Sequence, residues 1–146
     1  MKTHRFLFLL IIVVIISTFL AYLSYNYFII ENTMTLNMSV KIDDHFGLTA
    51  DSDAIKFGRI MPGISSERSI FVNNKAAYPL RVVILKSGYI KDWVKVSENN
   101  FILEGNESRQ INFEVFAPNN VNFGNYTGGV KIIFKKTYFN RYENPK

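Results

Sequence analysis

The sequence predicts an all-β domain, a sandwich of about seven antiparallel strands, preceded by one N-terminal transmembrane α-helix. Three observations support this fold class. The first thirty residues contain one long uncharged apolar run, the residues after it alternate between apolar and polar side chains, and turn-forming residues interrupt that alternation about every ten residues. The chain has 146 residues, of which 48% are hydrophobic, and no cysteine. The apolar content excludes a disordered chain, and the missing cysteines exclude a small domain held by disulfides.

The apolar run begins at Phe6 and ends at Ile30, and none of its residues is charged. A hydrocarbon core of about 30 Å requires roughly 20 helical residues, so this run is long enough to cross a bilayer. Lys2 and Arg5 precede the run, and no basic residue follows it for ten positions. The positive-inside bias therefore predicts a cytoplasmic N-terminus, residues 1–5, and a single-pass anchor in the cell membrane whose partner is lipid.

A cleaved secretory signal is the alternative for the same segment. The apolar part of such a signal usually spans 7 to 15 residues and ends at a small-x-small cleavage site. The run here is longer, and Ala21-Tyr22-Leu23 makes a poor cleavage site. The comparison favours the uncleaved anchor, and both alternatives place the rest of the chain outside the cytoplasm.

The strand pattern follows in residues 31–136, the predicted extracytoplasmic domain. Its clearest strand runs from Ser108 to Phe116, where Ile111, Phe113 and Val115 alternate with polar residues. Further strands are expected near residues 35–42, 54–57, 69–73, 80–86, 93–96, 101–103 and 126–135. About seven short strands in roughly a hundred residues are typical of an immunoglobulin-like antiparallel β-sandwich.

Several positions in these strands carry additional signals. Residues 80–85 are apolar on both faces, which predicts a central strand. Gly128 and Gly129 lie inside the last strand and predict either a bulge or a close approach of neighbouring backbone. Trp93 is expected to pack in or beside the core, and Tyr126 is expected to form a hydrogen bond across a strand corner.

Short motifs between residues 55 and 134 carry a resemblance to a known family. They are IKFGRIMPG, SERSIFVNN, a strand with tryptophan, Gly105-Asn106-Glu107 and GNYTGGVKI. These residues resemble the generic immunoglobulin-like modules of archaeal and bacterial cell surfaces, in which F-G-x-x-x-P-G makes the first sheet crossing and G-x-Y-x-G-x-V opens the last strand. One anchor followed by one such module also resembles the archaellum stator component of archaea. The resemblance implies the fold and a cell-surface location, because such modules serve as adhesins, filament subunits, stator parts and spacers.

The sequence predicts neither an enzyme nor a cofactor. It has no G-x-S-x-G elbow and no phosphate-binding loop, and two histidines without cysteine exclude the usual zinc patterns. Asp43, Asp44 and His45, with Asp51 and Asp53 nearby, form the one cluster of acidic residues that contains a histidine. Because this cluster lacks EF-hand spacing, we expect a solvated turn rather than a calcium site. No catalytic, cofactor-binding or metal-binding residue is assigned.

Three N-x-S/T sequons occur, at Asn37, Asn106 and Asn125. Asn106 lies at an expected turn and Asn125 lies just before the last strand. These three residues are the candidate glycosylation sites of an exported domain.

Basic residues are concentrated at the C-terminus. Residues 31–128 contain ten Lys and Arg against eleven Asp and Glu, whereas residues 129–146 contain five against one. Residues 137–146 are therefore predicted to form a basic and aromatic tail, either solvated or in contact with anionic lipid or an acidic envelope polymer. An outward-facing domain without a basic face outside this tail excludes nucleic acid as a partner.

The spacing between anchor and strands favours a function close to the membrane. With the first strand expected at about Thr35, the linker after Ile30 reaches only about 15 Å. The sequence thus predicts a non-enzymatic surface module that binds or organises a neighbouring protein of the envelope, the S-layer or a membrane complex. Residues 34–42 alternate regularly and are a candidate edge strand for self-association.

A carbohydrate-binding surface module is the alternative function. Tyr78, Tyr89 and Phe123 fall in expected loops, where exposed rings could stack on sugars. A planar row of exposed rings would favour this alternative, and a contiguous apolar patch or an open sheet edge would favour a protein partner.

Overall fold

A computed structural model describes residues 2–45, 47 and 54–137, except for the side chains of residues 2–5, 26 and 27. Within this range the chain forms a long helix and eight strands. In chain order they are α1 (Lys2–Ile29), β1 (Ile30–Ile42), β2 (Ala54–Ile60), β3 (Ser65–Asn73), β4 (Leu80–Gly88), β5 (Val94–Val96), β6 (Phe101–Leu103), β7 (Ser108–Phe116) and β8 (Gly124–Lys136), with a 3-10 turn at Tyr89–Asp92 between β4 and β5. Asp51, Asp53 and tail residues 138–146 lie outside the described residues.

Helix α1 is long and apolar enough to cross a membrane. Its segment Phe6–Tyr25 has a mean hydropathy of 2.9, and none of that window is buried against the rest of the protein. The hydroxyls of Ser17 and Thr18, in the middle of the segment, are satisfied inside the helix, since each donates to the carbonyl of Val14 at 2.9 Å. A helix of this length and composition near the N-terminus fits either a single-pass anchor or a signal sequence.

The helix continues into the β domain without a linker. Helix α1 ends at Ile29 and β1 begins at Ile30, so the expected linker before Thr35 is wrong. Lys135 at the end of β8 donates a hydrogen bond of 3.0 Å to the hydroxyl of Tyr25, and its ammonium group lies 5.7 Å from the centre of the Tyr25 ring. The helix end is therefore held directly against the sheet.

The β domain consists of two sheets. The larger sheet has the strand order β2-β1-β8-β4-β6, and the smaller sheet has the order β3-β7-β5. Strands β1 and β2 pair in parallel, whereas the other paired strands run antiparallel. The prediction of an antiparallel sandwich is therefore wrong at this pair, because both strands run in the same direction, from Asn37 beside Ala54 to Ile42 beside Ile60. The larger sheet is curled and mixed.

A single apolar core lies between the two sheets. Inward positions alternate along the strands, so Met38, Phe57 and Ile132 from the larger sheet and Ile111 and Phe113 from the smaller sheet are almost fully buried. These side chains belong to one continuous cluster to which all eight strands contribute, with one buried residue each from β3, β5 and β6. Hydrophobic packing holds the sheets together, since the chain contains no cysteine.

Side chains cover part of the sheet edges on two sides of the domain. On one side, Ser66 Oγ and Arg68 Nε of β3 donate to the carbonyls of Phe57 and Lys56 in β2, at 2.9 and 2.8 Å. On the other side, the amide group of Asn99 accepts from the Ile84 N–H at 2.7 Å and donates to the Ile84 carbonyl at 2.9 Å. These bonds replace ladder bonds at sheet edges and protect the edges from further pairing.

The structure contains a strand at each place where the sequence predicts one. The predicted bounds of β6 and β7 coincide with those observed. Strand β4 lies inside the larger sheet, as predicted, because it pairs with β8 on one side and with β6 on the other. Strand β8 occupies the middle of that sheet, between β1 and β4. Gly128 marks a close approach and not a bulge, since a Cβ there would lie 2.7 Å from the carbonyl oxygen of Ser87 and β8 keeps its register.

Candidate functional site

The two ends of the β domain differ in their position relative to the helix. Ile30, next to α1, pairs with Lys135, whereas Ile42 at the far end of β1 pairs with Gly124 and Ile60. A strand of 13 residues is about 40 Å long, so this far end lies about 40 Å from the end of the helix. We call it the outer end.

Five large apolar side chains are exposed at the outer end. Their exposed fractions range from 41% to 67%, although most residues of this size are buried in the domain. We call this group the apolar tip, and it consists of Met61, Ile64, Tyr89, Phe116 and Phe123.

A chain of contacts places the first members of the apolar tip next to one another. The Ile64 N–H donates to the Met61 carbonyl at 3.2 Å across the β2–β3 turn. The Ala117 N–H donates to the Ile64 carbonyl at 3.1 Å, and Ala117 follows Phe116 directly. The Phe116 N–H in turn donates to the carbonyl of Trp93 at 2.9 Å. The turn after β2 and the end of β7 therefore present their apolar residues together.

Tyr89, another member of the tip, belongs to an aromatic cluster with Trp93 and Tyr126. The ring centre of Tyr89 lies 5.4 Å from that of Trp93 and 5.2 Å from that of Tyr126, and the latter two are 5.0 Å apart. Trp93 and Tyr126 are half-buried against the core, so the prediction that Trp93 packs there is confirmed. The Tyr126 hydroxyl donates to the Asn122 carbonyl at 2.8 Å, which confirms the expected corner bond and fixes the loop that carries Phe123.

The rings of this cluster do not form a flat platform. The plane of Tyr89 makes an angle of 84° with Trp93 and 34° with Tyr126, and Trp93 and Tyr126 meet at 52°. Tyr78, the third ring expected to stack on sugars, lies in the β3–β4 connection near the helix end of the domain, where it hydrogen-bonds Glu31. The three candidate stacking residues therefore do not share one surface.

Met61, Ile64 and Phe116 are members of the tip that the sequence analysis did not identify. Met61 and Ile64 flank Pro62-Gly63, and Phe116 ends a strand, so none of the three was marked as an exposed residue of a binding surface. The signal that could have revealed them is the placement of apolar residues directly beside turn residues, where polar ones are usual.

The three sequons are exposed at separate places. Asn37 lies within β1 and pairs with Ala54 on one side and Gly129 on the other. Asn106 sits in the β6–β7 turn with a φ of 60°, and Asn125 opens β8 near the apolar tip. Their glycosylation remains a prediction, and the turn position of Asn106 is the most accessible to a modifying enzyme.

The acidic cluster after β1 is arranged as a surface turn. The ligand atoms of Asp43, Asp44 and His45 lie within 4.8 Å of one another. Asp43 is already paired with Lys41 at 2.8 Å, and a ring nitrogen of His45 contacts the carboxylate of Asp44. The hydrogen bond from Lys41 lowers the pKa of Asp43 to about 2. This internal pairing favours the expected solvated turn over a cation site.

No protein family, no curated protein and no solved structure matches this chain. The fold and the surface therefore carry the functional argument by themselves.

Proposed function

We propose that this protein is a non-enzymatic, single-pass module of the cell surface. In this proposal α1 remains in the membrane with its N-terminus in the cytoplasm, and the β domain outside binds or organises a neighbouring protein of the envelope, the S-layer or a membrane complex. The observation that carries the proposal is the apolar tip at the outer end of the domain.

An exposed apolar cluster of this kind favours association with another protein. Several large apolar side chains exposed at one end of a domain typically mark an interaction site, because burying them in a complex is favourable. Aromatic residues also contribute disproportionately to binding energy in protein interfaces, and the tip contains Tyr89, Phe116 and Phe123. Trp93 and Tyr126 are half-buried against the core and hold part of this surface rigid. This rigidity lowers the conformational entropy that is lost on binding.

The direct junction between α1 and β1 limits where the partner can lie. Without a linker, the tip cannot extend much beyond the length of the domain, about 40 Å from the membrane surface. This distance supports a partner whose binding surface lies just above the bilayer. It does not support an adhesin that projects far from the cell.

The immunoglobulin-like class is part of the proposal. Two packed sheets and the corner bond of Tyr126 support it, together with the motif resemblance over residues 55–134. The parallel pairing of β1 with β2 departs from the purely antiparallel arrangement that we expected.

Carbohydrate binding is the second candidate, supported by the exposed ring of Tyr89 beside Trp93. The angles between the rings favour a protein partner, because stacking on several sugar rings needs aligned aromatic faces.

Site-specific photocrosslinking tests the proposal in native membranes. A photoreactive phenylalanine analogue replaces Phe123 in the full chain, and a matched variant carries the same analogue at Leu85, an exposed apolar position away from the tip. We expect one discrete protein adduct from position 123 and none from position 85. The double variant Tyr89→Ser and Phe116→Ser should lose the adduct at position 123.

Three results would contradict the proposal. They are equal adducts from positions 123 and 85, the absence of any adduct, and an adduct that migrates as a polysaccharide and disappears after glycosidase treatment. The last result would establish the carbohydrate alternative.

A further inference from the structure

Half of β1 has a free edge beside the helix. Strand β2 pairs with β1 only from Asn37 to Ile42. Between Ile30 and Leu36, β1 pairs with β8 on one side and with no other strand in the described part of the chain. The predicted edge strand, residues 34–42, is therefore an edge only in its first part. Residues 37–42 are paired on both sides, whereas residues 34–36, nearer the helix, are paired on one side.

The backbone of this edge is satisfied by a side chain in place of a strand. The Thr33 N–H donates to the Asn32 side-chain oxygen at 2.7 Å. Because backbone groups of alternate residues face the same edge, Thr35 faces the same way as Thr33. A local side-chain bond of this kind is weak, and a carbonyl from an added strand can replace it.

A groove of about 610 Å³ lies along this edge. Strand β1 forms one wall, and the end of β3 with residues 73–76 forms the other. We call it the β1 groove. Met34 and Phe71 are exposed on its walls, with exposed fractions of 38% and 70%, while Leu80 and Phe134 are buried in its floor. The groove therefore combines an open backbone edge with apolar side chains, as in proteins that bind extended peptides.

The charges around the β1 groove indicate the kind of segment that fits. Glu31 is paired with Lys136 at 3.1 Å and also bonds Tyr78, and these hydrogen bonds lower the pKa of its carboxyl group. Its negative charge is thus already compensated. Lys75, on the opposite wall, has no ion-pair partner among the described residues. An acidic side chain in the groove would complement Lys75.

We propose that the β1 groove accepts an extended segment of the partner protein, with alternating apolar and acidic side chains, as an added strand in line with β2. The main chain of the segment bonds Thr33 and Thr35, its apolar side chains pack between Met34 and Phe71, and a carboxylate pairs with Lys75. This inference rests on the proposed function, because it assigns the partner a second contact next to the membrane.

The test uses the full chain in nanodiscs and fluorescent synthetic peptides. One peptide alternates glutamate and valine, a second replaces its central valine by proline, and a third replaces glutamate by lysine. We expect the first peptide to bind and to slow amide exchange at Thr33 and Thr35 by roughly tenfold or more. The proline peptide should bind much more weakly, because it lacks a backbone N–H for the ladder.

Matched variants separate the groove from the rest of the surface. Phe71→Ser should weaken binding by roughly tenfold, whereas Leu85→Ser, at an exposed apolar position outside both the β1 groove and the apolar tip, should leave it unchanged. Lys75→Glu should reverse the preference in favour of the lysine peptide, whereas Lys91→Glu, an exposed lysine of the 3-10 turn, should not.

The outcomes are decisive in both directions. Binding without protection of Thr33 and Thr35, equal binding of the proline peptide, or no binding at millimolar peptide overturns the inference. So does protection of these amides by dimerisation of the chain alone, or binding that requires removal of residues 138–146, since a second copy or the tail would then occupy the groove. A crosslink at Phe123 that persists in Phe71→Ser would show that the proposed function stands even where the groove inference fails.

Discussion

At the scale of single residues, Asn74 holds the helix end of the β domain together. It is fully buried, and its amide nitrogen donates to the carbonyls of Tyr78, Leu103 and Glu104 at 2.8, 3.1 and 3.0 Å. Its side-chain oxygen accepts from the Ala76 N–H at 3.0 Å. One asparagine thus joins the β3–β4 connection to the β6–β7 turn, where backbone groups would otherwise lack partners.

Replacing Asn74 by alanine should destabilise the domain strongly. The substitution leaves the buried carbonyl of Leu103 and the part-buried carbonyls of Tyr78 and Glu104 without this donor, so we expect the free energy of unfolding to fall by about 3 kcal/mol. Urea unfolding of the full chain in detergent micelles, followed by Trp93 fluorescence, measures the change. The exposed neighbour Asn73 provides the control, and Asn73→Ala should change the stability by less than about 0.5 kcal/mol. Equal effects of the two substitutions would refute this role for Asn74.

A second residue-scale prediction compares two adjacent glycines. A Cβ on Gly128 would meet the Ser87 carbonyl oxygen at 2.7 Å and Ile90 Cγ1 at 2.9 Å, in the buried contact between β8 and β4. A Cβ on Gly129 would meet the movable hydroxyl of Ser87 at 3.0 Å. We expect Gly128→Ala to lower the free energy of unfolding by about 2 kcal/mol, and we expect Gly129→Ala to leave it nearly unchanged. The reverse order in thermal unfolding would show that the close approach is misassigned.

At the scale of elements, the turn between β6 and β7 is fixed by a carboxylate. Glu107 accepts the Glu104 N–H at 2.7 Å and pairs with Arg109 at 2.8 Å, while Arg109 also contacts Glu98 and lies over the ring of Phe101. The hydrogen bond from Arg109, followed by that from Glu104, lowers the pKa of Glu107 below its ordinary value of 4.5. The charged form is therefore favoured in the folded protein.

This pKa shift predicts the direction of the pH dependence. The contribution of Glu107 to stability is fully present above the pKa of the unfolded chain, near 4.5, and is lost as pH falls through the lower pKa of the folded protein. Urea unfolding at a series of pH values should thus show a decrease below about pH 4.5. In Glu107→Gln the stability at neutral pH should be lower and the decrease shallower. An unchanged slope in the variant would exclude Glu107 as its source.

The elements also show how far the sequence alone can predict this fold. Strand β7 was predicted to its end residues because Ile111, Phe113 and Val115 alternate with Asn112 and Glu114, and turn residues bound the segment on both sides. The parallel pairing of β1 with β2 could not be predicted, because pairing direction depends on the path of the intervening chain and not on alternation. The interior position of β4 was predicted because its residues are apolar on both faces, although outward-facing Leu85 is exposed.

The candidate site was predicted only in part for a similar reason. Tyr89 and Phe123 were identified as exposed loop residues from their own position in the sequence. The apolar tip and the β1 groove arise from segments that are distant in sequence, such as Ile64 with Phe116 and Met34 with Phe71. Such juxtapositions depend on tertiary structure, which a single sequence does not encode as a local pattern.

At the scale of the whole molecule, the direct connection of α1 to β1 is the feature with the widest consequences. The contact between Tyr25 and Lys135 and the ion pair between Glu31 and Lys136 both lie at this junction. Together with the absence of a linker they hold the β domain close to the end of the helix. In a membrane, the β1 groove would then lie close to the lipid headgroups, and the apolar tip would point away from the bilayer.

The topology of the chain in its native membrane tests the central claim most directly. The natural chain has no cysteine, so Thr3→Cys and Lys95→Cys each introduce one thiol, the first before the apolar run and the second at an exposed position of β5. Our account predicts that a membrane-impermeant maleimide labels position 95 in intact cells and labels position 3 only after permeabilisation, on a membrane-bound chain that retains its N-terminus. Labelling of position 3 but not of position 95 in intact cells, or a released chain that lacks the helix, would contradict it.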